Sequence, residues 1–87
     1  MEFNGTPGPW LHADNHGLNE TAGGAIHGDG KTLCLILGKG IGKEKATANA
    51  KLMAAAPDLL EALIELRKLV TRHDQADAAI NKALGCE

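Results

Sequence analysis

Three features of the sequence predict an α+β domain: a turn-rich first third, two strand-like runs either side of Gly28-Asp29-Gly30, and helical periodicity from Lys43 onward. Their order predicts a small N-terminal antiparallel sheet of about three strands within residues 1–37, then two or three C-terminal helices within 43–84. At 87 residues the chain (1–87) reads as a single domain. A chain of this size is near the lower limit for folding alone, so the core is expected to be thin and a second copy to help bury it.

The elements follow in order. Pro7 and Pro9 bracket Gly8 and precede Trp10-Leu11-His12-Ala13, a short strand whose flanking prolines place it at a sheet edge. Asp14 to Asn19 reads as a turn. Gly24-Ala25-Ile26-His27 and Lys31-Thr32-Leu33-Cys34-Leu35-Ile36-Leu37 then pair as a hairpin across Gly28-Asp29-Gly30. The unbroken apolar run from Leu33 to Leu37 predicts burial on both faces, by a helix layer on one side and another subunit on the other.

In the first helix Ala46, Ala50 and Met53 share a stripe, with Leu52 and Ala56 beside it, giving a narrow, alanine-rich face for close packing. Pro57 interrupts the pattern because proline cannot donate to the helix ladder and restricts Ala56. It belongs in the first turn of a second helix, with Asp58 at the positive end. Leu59, Leu60, Leu63, Ile64, Leu66, Leu69 and Val70 cover more than one face of that helix. A small sheet buries only one face, so the surplus predicts helix-to-helix contact with another copy. Thr71 to Asp74 closes the second helix, with Arg72 and His73 near its negative end and Asp74 capping a third. Ala78, Ala79, Ile80, Ala83 and Leu84 make the third helix weakly apolar, and Gly85 stops it.

The formal net charge of -2 argues against general nucleic-acid binding through phosphate neutralisation. The charge is nonetheless uneven. Residues 1–30 carry Glu2, Asp14, Glu20 and Asp29 with no Lys or Arg, whereas 31–51 carry Lys31, Lys39, Lys43, Lys45 and Lys51 against Glu44. No apolar run is long enough to cross a bilayer and the N-terminus lacks a basic-then-apolar leader, so the protein is expected to be soluble and cytoplasmic. Cys34 and Cys86 have no C-x-x-C spacing and suit a reducing compartment, with Cys34 as a buried small hydrophobe; a Cys34–Cys86 disulfide is the alternative.

The strongest candidate for ligand chemistry is Gly38-Lys39-Gly40-Ile41-Gly42-Lys43, where an apolar strand gives way to a helix. Glycines tolerate positive φ and admit a ligand to the main chain, and the free amides and positive helix end attract an anion. The bland reading is a strand-to-helix bend, since glycine punctuates loops generally. A P-loop needs four residues between its first Gly and the Gly-Lys pair, then Ser or Thr; here Gly42 comes one residue early and Glu44 stands at the hydroxyl position. A dinucleotide fingerprint fails as well, because its third Gly comes early and no parallel strand follows. What remains is a nest with lysines, able to hold a phosphate without hydrolysing it.

Other chemistry is sparsely provided. His12, Asp14 and His16 lie close in sequence, but without helical i, i+4 spacing or a Cys pair they read as turn histidines and not as a metal set. His27, near Asp29, reads as locally hydrogen-bonded. The chain has no Ser and no Tyr, no Thr beside a His–carboxylate arrangement, and Cys34 lies in a strand, so neither catalysis nor a cofactor is expected. Glu61 and Glu65, with Arg67 and Lys68 near them, read as an exposed helix face. Phe3 and Trp10 are the only aromatics; Trp10 reads first as a core residue, because a thin core needs its area, and second as a candidate stacking surface for a base.

Thr6-Pro7-Gly8-Pro9-Trp10, taken with Asn49-Ala50-Lys51-Leu52-Met53-Ala54-Ala55-Ala56-Pro57-Asp58-Leu59-Leu60-Glu61-Ala62-Leu63, resembles a widespread group of small bacteriophage and prophage proteins. The resemblance covers both ends of the domain and carries over no catalytic motif. It implies a phage accessory protein made in the cytoplasm of an infected bacterium. Such proteins commonly oppose host defence by stoichiometric binding. The local lysines favour a non-enzymatic oligomer that sequesters a phosphate-bearing nucleotide signal through Gly38, Lys39, Gly40, Gly42 and Lys43, with Trp10 stacking. One alternative is a protein-binding inhibitor of a host defence complex, such as a CRISPR effector, acting through residues 59–70 or the acidic N-terminal third. Another is a small structural or regulatory phage protein.

Overall fold

A computed structural model of the chain describes residues 2–14 and 23–85. Three strands, β1 (Trp10–Ala13), β2 (Ala25–Gly28) and β3 (Lys31–Leu35), precede three helices, α1 (Lys43–Ala54), α2 (Ala56–Lys68) and α3 (Asp74–Leu84). The strands form one sheet in the order β1-β2-β3 with antiparallel neighbours. The fold is the expected α+β arrangement, with the sheet ending before Gly38. The turn expected from Asp14 falls, from Asn15 on, outside the described residues, as do His16 and Cys86.

Asp29 and Gly30 both have positive φ, 53° and 74°, and close the β2–β3 hairpin with the twist of a two-residue loop. Ile26 pairs with Cys34 and His27 with Thr32, so Leu33 is the extra residue of a bulge and turns toward the core. That core is Ile26, Ile36, Ala46 and Ala50, with Trp10, Leu33 and Ala54 packed against it. Ala46 and Ala50 have no exposed area and let α1 lie close on β1 and β2. A Cβ at Gly23 would collide with Ile36 and Ala46, so the chain has to be glycine where it returns under this helix.

Four expectations are corrected. The buried stripe of α1 runs on to Ala54 and leaves Leu52 and Met53 exposed. Cys34 is exposed, because β3 is an edge strand with one face covered by its own chain, and it carries no disulfide among the described residues; Leu35 and Leu37 are exposed likewise, as a face for another subunit would be. α2 ends at Lys68, and Leu69 and Val70 lie in the turn beyond it. The cap of α3 is His73, whose Nδ1 accepts from the Ala76 amide at 3.1 Å, while Asp74 pairs with Arg72 at 3.0 Å.

Pro57 stands in the first turn of α2 and Gly85 ends α3 in the left-handed conformation, both as expected. α2 packs chiefly on α3, where Arg67 forks onto Asp77 and also donates to the Val70 carbonyl. No residue of α2 is buried. No helix among the described residues is long and apolar enough to cross a membrane.

Candidate functional site

In the glycine loop the Gly38 carbonyl accepts from the Ile41 and Gly42 amides, at 3.3 and 3.0 Å. Two of the amides that a nest would present to an anion are thereby used within the loop. Gly40 and Gly42 both have φ of 89°, and a Cβ on either would meet nothing, so it is the backbone conformation that calls for glycine there. Lys39 and Lys43 are exposed. Lys43 and Lys51 line a shallow groove of about 580 Å³ together with Asp14 and Glu44, so its two cations face two carboxylates.

Trp10 does not join this loop. It pairs with Gly28 at the hairpin end of the sheet, whereas the chain leaves for Gly38 from the Leu35 end. Four residue steps along β3 separate those ends by about 13 Å. The indole packs against the core, and its Nε1 donates to the Thr6 carbonyl at 3.1 Å. Two of the described histidines are also engaged: His12 Nε2 is 2.7 Å from the Gly23 carbonyl, and His27 Nδ1 is 3.1 Å from Thr32 Oγ1.

A second site emerges where the two distinctive sequence blocks meet. Gly8 lies on Pro57, close enough that a Cβ on Gly8 would stand 2.9 Å from that of Pro57. The Gly8–Pro9 bond is cis, and the Trp10-to-Thr6 hydrogen bond folds this segment over. Phe3 meets Trp10 edge-on, with ring centroids 6.3 Å apart. Between the segment and α2 opens a groove of about 590 Å³. Phe3, Pro7 and Pro9 form one wall, Leu60 and Ile64 the other.

Asp58, Glu61 and Glu65 lie along the same side of α2, at spacings of three and four residues, and edge the groove. Lys68 also lines it but is held by Glu65 at 2.9 Å. No salt bridge among the described residues reaches Asp58 or Glu61. The surface therefore combines apolar walls with uncompensated negative charge, a chemistry of contact. Both blocks stand out in the sequence, but the contact between them does not. Glycine between prolines and proline in a first helical turn are local signals, and the contact between them is long-range.

No curated protein and no solved structure matches the chain. The family model described as Salmonella phage P22 protein Y8K6 matches residues 1–87, so the chain belongs to that family of phage proteins.

Proposed function

We propose that this phage protein is a non-enzymatic binding protein that acts by occupying a protein partner stoichiometrically, with the groove between Pro7–Pro9 and α2 as its contact surface. One observation carries the reading: Leu60 and Ile64 of α2 are only half-buried and, facing Phe3, Pro7 and Pro9, leave an apolar groove of about 590 Å³ edged by Asp58 and Glu61. An amphipathic helix left in this state by its own domain is a surface for another chain. In an infected bacterium the matching role is inhibition of a host defence complex, for example a CRISPR effector.

A second reading, sequestration of a phosphate-bearing nucleotide signal by Gly38, Lys39, Gly40, Gly42 and Lys43, draws on the start of α1. Its N-cap is Gly42 with no side-chain cap, which leaves the first-turn amides to an outside acceptor.

A photo-crosslinking residue at position 68, which lines the groove, or at position 39, each in cells infected by the phage, separates the two. Protein adducts from position 68 and none from position 39 support the first reading. A nucleotide recovered by native mass spectrometry, and lost in a Lys39→Ala, Lys43→Ala variant, overturns it in favour of the second.

A further inference from the structure

We propose that the groove takes a basic amphipathic segment of the partner protein, its apolar side chains entering between Pro7–Pro9 and Leu60–Ile64 and its Lys or Arg side chains meeting Glu61 and Asp58. The inference rests on the protein-binding reading of the same groove and names the chemistry of the occupant.

Charge complementarity carries it. The α2 edge of the groove has three carboxylates against one lysine, and that lysine is committed to Glu65. The opposite wall, Phe3 and Pro7 to Pro9, brings no Lys or Arg to offset them. Asp58 stands in the first turn of α2, where the helix N-terminus offsets part of its charge, so Glu61 is the main anionic anchor. Asp58 and Glu61 are exposed at the edge of the groove, so pairs formed there steer and orient the segment while its apolar side chains fill the groove. The same field repels nucleic acid and an anionic membrane surface.

Trp10 supplies the readout. It is the only Trp in a chain without Tyr, and it touches Phe3 on the groove wall. The full chain is titrated with two synthetic helical peptides of one length and one leucine pattern, one with Lys and the other with Glu at every polar position, following Trp10 emission and backbone amide shifts. The lysine peptide is expected to bind saturably and about tenfold or more tightly than the glutamate peptide, and Glu61→Lys to remove that preference with an unchanged circular dichroism spectrum. Amide shifts should centre on Leu60–Glu65.

Equal binding of the two peptides, binding of neither, an unchanged preference in Glu61→Lys, or shifts centred on the outer sheet face would each overturn the proposal. So would self-association that is lost in Glu61→Lys, which assigns the groove to a second copy. If neither peptide binds while position 68 still crosslinks to a partner protein, only the basic occupant is wrong. If position 68 forms no protein adduct, the underlying reading fails.

Discussion

At the scale of single residues, Gly42 and Gly8 are glycine for different reasons, and substitution separates them. Gly42 has φ 89° and ψ 152°, a region essentially restricted to glycine, but open space where a Cβ would go. Gly8 lacks that φ and is crowded by Pro57. Gly42→Ala is expected to cost about 1–3 kcal/mol through backbone strain. Gly8→Ala is expected to cost a similar amount, about 1–3 kcal/mol, through overpacking. Urea unfolding measures both losses, and in a Pro57→Gly background, which removes the Cβ that Gly8 abuts, the second should shrink while the first stays unchanged. The three glycines were legible in the sequence as a strand-to-helix turn. What was not legible is that the Gly38 carbonyl takes up two loop amides, because that depends on the path of the turn and not on its composition. Trp10 was legible as a core residue, and its remoteness from the loop became apparent only with the strand register.

Among the elements, the α2–α3 pairing depends on Arg67 and Asp77, both half-buried. The guanidinium's hydrogen bonds hold the Asp77 carboxyl below its ordinary value and raise Arg67 in turn. A depressed folded-state value adds stability that is fully present above the unfolded carboxylate range, about 3.9, and is lost as pH falls through the lower folded value. Asp77→Asn should therefore lower the melting temperature at neutral pH, with the gap from the unsubstituted protein closing as pH falls below about 4. Melts followed by circular dichroism between neutral and acid pH check this; a gap independent of pH would remove the pair from the account. The break at Pro57 and the stop at Gly85 were legible because both residues act on their own backbone. The end of α2 was not. Leu69 and Val70 continue the apolar period, but the chain turns there as Arg67 reaches back to the Val70 carbonyl.

Across the whole molecule, the radius of gyration is 14.9 Å, with extents of 47 × 27 × 20 Å. A compact chain of this length would have a radius near 12 Å. The excess length accompanies an unburied α2, and Leu59, Leu66, Leu69 and Val70 are exposed along it and just beyond its end. The surplus of apolar positions was legible in the sequence; which face they occupy was not, since it depends on how α3 docks. Leu59 and Leu66 are seven residues apart and share a stripe, whereas Leu66 and Ile64 differ by two and point to nearly opposite sides. Self-association through the Leu59–Leu66 stripe is thus compatible with a groove occupied at Leu60 and Ile64. The expected state is a homo-oligomer built on a dimer, with this stripe packed against its copy. In a two-fold interface Leu66→Glu removes the same side chain twice, at about 1.5–3 kcal/mol each, so the dimer Kd should rise about a hundredfold or more. Light scattering across a dilution series gives the answer. Leu35→Glu on the outer sheet face is the control and should leave the dimer intact. A monomer at high concentration, or assembly lost in Leu35→Glu and kept in Leu66→Glu, would transfer the interface from the helices to the sheet or remove it altogether.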